Sequence, residues 1–175
     1  GLALEKDAEE CYSVDMNDAV RHGMCVSVLA SELARELGCD EEFIDKVAVA
    51  GMLHDVGKLQ VSPYIYGRRQ GAMKIEEMRY VRLHAKLGAE ILKREGYDQD
   101  IVDMVHYHHE NYDGSGYPYR MRGEEIPLGA RLIRVCDVFS ALVSDRPYRK
   151  AFDADTAFGM VIDEAVSYTH LRAHE

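Results

Sequence analysis

The chain has 175 residues, enough for one domain with a substantial core, and its composition is ordinary for a globular protein: 47% hydrophobic and 30% charged. A formal net charge of −10 excludes wholesale nucleic-acid binding, because an acidic surface repels a polyanion; a phosphate ligand has to meet a local cluster of cations or metal ions. No apolar run approaches the ~18 residues needed to cross a membrane. The four cysteines (Cys11, Cys25, Cys39 and Cys136) form no CxxC pair and match no zinc-finger spacing, so reduced thiols in a cytoplasmic protein are expected. The chain starts at Gly1 without methionine and shows no signal peptide; it is expected to be a fragment that lacks an upstream targeting or sensor segment.

Helical periodicity dominates. From Met16 to Leu37 apolar residues recur at three- and four-residue steps, and Gly38 stops the helix. Asp40 reads as the N-cap of a second helix, Glu41 to His54, broken by Gly57. Residues 59 to 73 read as a loop with at most a turn of helix. A third helix is predicted from about Ile75 to Arg94, closed by Gly96, and a fourth from about Asp98 to His109. "ENYDGSGYPYRMRGEEIP", 110 to 127, reads as one long ordered loop, a length that compact domains often reserve for function. A fifth helix spans about Leu128 to Val143, and a sixth follows from Asp153. With no period-2 strand and no repeat, the expected fold is all-α, a single-domain helical bundle over residues 1–168. The tail "SYTHLRAHE" breaks the pattern of the sixth helix; residues 169–175 are expected to be non-native or disordered, and His170 and His174 are set aside.

Six histidines precede that tail. A lone helical histidine is usually structural or solvated. Here the company argues otherwise. His54 is followed by Asp55 and His108 by His109, each pair ending a predicted helix beside a glycine-bearing loop. Asp18 and His22 lie four apart, on one helix face. Asp137 sits in the otherwise apolar "LIRVCDVFSAL", and a buried carboxylate there needs a partner, for which a metal ion serves. Together with His84, these side chains can be brought together by five helices. Mixed imidazole and carboxylate donors without thiolate suit iron, manganese, zinc or nickel. They are too many for one ion, and Asp55 has two oxygens with which to bridge two. Two ions about 3.5–4 Å apart can hold a hydroxide between them and clamp a phosphate for in-line attack.

The order His22, His54-Asp55, His84, His108-His109, Asp137 resembles the HD superfamily of metal-dependent phosphohydrolases. "LHDVGK", "HHENYDGSGYP", "GEEIPLGARLIRVCDVFSAL" and "DRPYRKA" are similar to the motifs of its HD-GYP subfamily, over about residues 18 to 165. The resemblance implies a bacterial cyclic di-GMP phosphodiesterase that opens the cyclic dinucleotide to pGpG and in some members on to GMP. It implies cytoplasmic signalling and an attached sensory or receiver domain. Two alternatives stay open: another substrate such as 3′,3′-cyclic GMP-AMP, or a non-catalytic module that binds the dinucleotide or docks on a diguanylate cyclase. No DNA partner is expected, and the sequence leaves a homodimer open.

Position by position, the resemblance implies that His54, Asp55 and Asp137 hold one ion and that Asp55, His84, His108 and His109 hold its neighbour. His22 belongs to the same cluster. Some members add a third ion held by a glutamate four residues earlier, where this chain has the shorter Asp18. Iron or manganese is the implied metal, with zinc or nickel as alternatives. Asp55 and Lys58 are the implied catalytic residues. Lys58 places its ammonium on the scissile phosphate or leaving oxygen, where a fixed cation stabilises the developing charge; otherwise it is a solvated lysine after a helix end. Arg146 and Arg149 match substrate-phosphate positions, and the planar guanidinium suits that role. Tyr117 either stacks on a guanine or pins the loop. Glu110 either orients an imidazole or caps the loop, and His106 is read as structural.

Overall fold

Apolar periodicities ended by capping residues build each element. The computed structural model describes the backbone of residues 2–65, 79, 81–145 and 150–170, and the side chains of 16–61, 79, 81–145 and 150–162. Helix α1 spans Leu2–Glu36 and so begins well before Met16. It closes where Gly38 takes a φ of 75°, a conformation that a Cβ resists. The amides of Gly38 and Cys39 then donate to the carbonyls of Arg35 and Ala34, satisfying the last turn. Helix α2 (Glu41–Leu53) starts from Asp40, whose carboxylate accepts the Phe43 amide at 2.8 Å.

Three further expectations change. Beyond Gly57 the chain forms α3 (Lys58–Ile65) where a loop is predicted. Amides of Lys58, Leu59 and Gln60 donate to carbonyls three residues back, and this tight turn carries the right-handed backbone through the glycine. The third predicted helix is interrupted: a turn at Leu83 precedes α4 (His84–Arg94), while residues 75–78 and 80 lie outside the described residues. The last helix, α7 (Ala154–His170), begins from the Asp153 carboxylate and runs on through Ser167 to His170. No glycine or proline between 160 and 170 stops it. Residues 171–175 lie outside the described residues. Between these stand α5 (Gln99–Tyr107), capped by Asp98, a loop with one 3₁₀ turn at Gly123–Glu125, and α6 (Leu128–Leu142). Among the described residues there is no strand, and no helix is long and apolar enough to cross a membrane.

Helix α1 packs on α2 and α6, and α5 lies against α2, α4 and α6. The core is drawn from these five: Val26 and Ala30, Val47 and Ala50, Ala89 and Leu92, Val102 and Val105, Ile133 and Cys136. Small residues let the helices approach closely, and the Ser27 hydroxyl donates across the gap to the Ala48 carbonyl at 2.7 Å.

One ionic cluster bridges two helices of that core. Lys46 of α2 holds Asp100 at 2.8 Å, Glu42 at 3.0 Å and Asp98 at 3.3 Å, tying α2 to the start of α5. Lys46 lies as many residues before His54 as Asp100 lies before His108. The two helices therefore deliver those imidazoles side by side, with ring centroids 5.1 Å apart.

Gly57 is where α2 and α3 cross α4. A Cβ there would stand 2.0 Å from the His84 carbonyl oxygen and 2.6 Å from the Gly88 nitrogen. Both are backbone atoms, so the helices themselves would have to part. Gly57→Ala is expected to destabilise the fold by about 1–3 kcal/mol, the range for overpacking a filled site. Denaturant titration checks this; an unchanged midpoint would contradict the crossing described here.

Candidate metal centre

Three histidines share one local construction. His54 caps the C-terminal end of α2, His108 caps that of α5, and His84 follows the turn before α4. Each ring folds back so that Nδ1–H donates to the carbonyl three residues earlier: His54 to Gly51 at 2.7 Å, His108 to Val105 at 2.6 Å, and His84 to Val81. A carbonyl in the last turn of a helix lacks an intrahelical donor, so the ring satisfies it. The bond also fixes the tautomer. With the proton on Nδ1, Nε2 carries a bare lone pair.

Those lone pairs converge. His84 Nε2 lies 3.3 Å from His108 Nε2 and 3.0 Å from His109 Nε2. His84, His108 and His109 form one group able to hold a cation, and His22, His54 and Asp55 form another. Asp55 stands between them. Its Oδ1 faces His84 Nε2 at 3.3 Å, while Oδ2 faces His54 Nε2 at 3.4 Å and His22 Nε2 at 3.9 Å. Asp137 arrives from α6, with Oδ1 3.0 Å from His22 Nε2 and 3.9 Å from His54 Nε2. Helices α1, α2, α4, α5 and α6 and their ends thus supply His22, His54, Asp55, His84, His108, His109 and Asp137 to one place.

The electrostatics follow from burial. Burial and the neighbouring histidines hold His108 well below the usual imidazole range; burial lowers His84 against the pull of Asp55. His109 is pushed down to about 3 by burial and His84. Burial also pushes His54 down, but the charge and contact of Asp55 outweigh it and leave His54 raised. Burial would raise both carboxyls, yet His54 and Lys58 hold Asp55 well below its usual range, and His22 and His54 do the same for Asp137.

The donor set fits a metal ion. His54 Nε2 and Asp55 Oδ1 are buried without a hydrogen bond, a costly state for polar atoms. Facing imidazole lone pairs repel each other unless a cation stands among them. Imidazole and carboxylate donors without thiolate are a chemistry that divalent metal ions accept.

The remaining predicted residues divide. Lys58, 47% exposed at the start of α3, holds Asp55 Oδ2 at 2.6 Å. Asp18 is not drawn into the cluster. Its exposed carboxylate pairs with Arg21, one turn away on the solvent side of α1, though both line a cleft of about 430 Å³ that reaches His22 and Ser140. Arg146 and Arg149 lie outside the described residues. The ring of Tyr117 stacks on His109 at 4.7 Å, and its amide donates to the His109 carbonyl. Glu110 is fully buried, and its carboxylate accepts the amides of Tyr119 and Met121, so it holds the loop rather than an imidazole. His106 stacks on Tyr107, away from the cluster.

Two residues escaped the sequence reading. The Ser140 hydroxyl, buried, meets His22 Nδ1 at 3.0 Å, and the Arg134 guanidinium lies 3.9 Å from Asp137 Oδ2. Both sit one turn from Asp137 on α6, a spacing that could have flagged them.

The sequence model of the HD domain family matches residues 7–170. The chain is 38% identical over 137 residues to a cyclic di-GMP phosphodiesterase of Pseudomonas aeruginosa, covering 78% of this chain and 33% of that one. It is 36% identical over 140 residues to a 3′3′-cGAMP-specific phosphodiesterase of Vibrio cholerae, covering 80% of this chain and 30% of that one. The chain thus spans about a third of the length of these curated relatives. Among solved structures, a HDG"Y"P protein from Bdellovibrio bacteriovorus superposes with a TM-score of 0.65 at 22% identity, covering 83% of this chain and 47% of that one, a likeness of fold.

Two outcomes are expected. Ser140→Ala, by freeing His22, should weaken binding of a divalent ion about tenfold in competition with a chelating dye. In the metal-free protein, the lowered His84, His108 and His109 take up protons in the unfolded chain before the folded one. Their contribution is therefore complete above the unfolded imidazole pKa of about 6.5 and is lost as pH falls below it. The raised His54 opposes this singly. The melting temperature in chelator should drop between pH 7.5 and 5 by about 5 °C or more; a flat profile would contradict three neutral imidazoles.

Proposed function

The chain belongs to the HD domain family, and on that premise we propose that it is a metal-dependent phosphodiesterase that opens cyclic di-GMP to pGpG. The observation that carries the reading is the two-faced placing of Asp55, one oxygen toward His84 and the other toward His54 and His22. His54, Asp55, Asp137 and His22 would hold one divalent ion, iron or manganese; Asp55, His84, His108 and His109 would hold its neighbour. When bound, such ions supply Lewis-acid neutralisation of a phosphodiester and lower the pKa of a coordinated water. A third ion at Asp18 gains no support from the pairing of that residue with Arg21.

The chain's own residues do the rest. The backbone bonds of His54, His84 and His108 orient their rings before any ligand arrives, so little reorganisation is left to the reaction. Ser140 holds the far nitrogen of His22, and its hydroxyl can donate or accept as the tautomer requires. Lys58 rests on Asp55, and from beside that carboxylate its ammonium would assist the leaving 3′ oxygen. Glu110 fixes the loop that carries Tyr117 over His109. The same reading puts the chain's work in the cytoplasm, where cyclic dinucleotides signal, under an upstream sensory or receiver domain. The named cGAMP phosphodiesterase among the relatives favours 3′,3′-cyclic GMP-AMP as the second substrate to try.

Protein loaded with Mn²⁺ or Fe²⁺ should convert cyclic di-GMP to linear product, read by chromatography, with 3′,3′-cyclic GMP-AMP run in parallel. Chelation should abolish turnover, and Asp55→Ala should lower kcat at least about a thousandfold. Both substrates left intact by protein that retains its ions would instead mark a binding module. Lys58→Ala should lower kcat by about 10²-fold with little change in KM, as for loss of one transition-state cation.

A further inference from the structure

The structure carries a second cation at the candidate centre that the sequence motifs do not mark. Arg134 stands on α6 one turn before Asp137, and its side chain is 28% exposed, with the guanidinium 3.9 Å from Asp137 Oδ2. It is aimed rather than neutralised. Its Nε donates to the Asn111 side-chain oxygen at 3.1 Å, a neutral acceptor offered by the loop that follows the His108-His109 pair. Its approach to Asp137 Oδ2 is long, 3.9 Å, and the other oxygen of that carboxylate is already met by His22 at 3.0 Å. The rest of the fork has no hydrogen-bond partner among the described residues.

The surroundings select an anion. The charge of Arg134 reaches both His109 and Tyr117, and Arg82 lies over the Tyr117 ring at 5.3 Å from its centroid. Lys58 stands at Asp55 as Arg134 stands at Asp137, one cation beside each carboxylate. In a chain of net charge −10, this local balance of two cations against two carboxylates leaves a bound divalent ion uncompensated until an anion arrives. A guanidinium with its Nε–H fixed by an amide oxygen still has N–H groups with which to donate to two oxygens at once.

Resting on the phosphodiesterase reading above, we propose that Arg134, positioned by Asn111, binds the non-bridging oxygens of a substrate phosphodiester beside His109 and Tyr117. The test is equilibrium binding of a phosphorothioate analogue of cyclic di-GMP to the metal-loaded protein, alongside steady-state kinetics on cyclic di-GMP and metal content of each sample. Arg134→Ala should weaken analogue binding about tenfold or more and raise KM in step, with metal content kept and kcat within about twofold. Arg134→Lys, which keeps the charge but loses the fork, should fall between. Asn111→Ala should weaken binding less than Arg134→Ala and in the same direction. Unchanged binding by Arg134→Ala, with the wild type binding well, would reduce Arg134 to a counter-ion of Asp137 and overturn the inference while leaving the phosphodiesterase reading intact. A wild type that binds no cyclic dinucleotide would overturn both.

Discussion

The candidate centre depends on a bond between each of three imidazoles and the backbone of its own helix end. A helix that stops leaves carbonyls without donors, and a histidine placed three residues on can turn back to satisfy one. That local economy has a long-range effect, because the nitrogen not used in the bond is then fixed in direction. His54, His84 and His108 each do this, and the helix axes bring their outward nitrogens to one point. The pocket is therefore assembled from helix terminations, with Asp137 and His22 reaching in from helix interiors.

Much of this was legible in the sequence. The His-Asp and His-His pairs beside glycines, and an aspartate inside "LIRVCDVFSAL", announced side chains that cannot be core filler. Asp40 was legible as a cap and Asp98 and Asp153 as approximate helix starts; that these two also cap their helices is seen only in the structure. What escaped depended on contacts made far along the chain. Ser140 and Arg134 share the face of Asp137, but a serine or an arginine at that spacing is ordinary until a histidine from α1 and an asparagine from the long loop are seen against it. Glu110 next to two histidines reads equally as their neighbour or as a loop anchor; only the amides of Tyr119 and Met121, nine and eleven residues on, decide. The α3 helix escaped because a turn of i-to-i+3 bonds can carry helical hand through a glycine that otherwise signals a stop.

Asp18 pairs along its own helix instead of joining the cluster. Its spacing from His22 is right for a shared face, yet a short carboxylate on the exposed side of α1 finds Arg21 before it finds the cluster. The charge balance inside the pocket is correspondingly tight, since the paired cations and carboxylates nearly cancel and leave the site's preference to whatever ion or anion enters.

The Lys46 cluster bears on the pocket as well as on the fold. Its three carboxylate partners stand at the solvent edge, where ordinary electrolyte competes for them. Because that cluster joins α2 to α5, and those helices carry His54 and His108 at their far ends, the surface tie and the two rings belong to one packed pair of helices. Between tie and rings the buried Val47, Ala50, Val102 and Val105 hold the pair together, so electrolyte that screens the lysine leaves the rings where the core sets them.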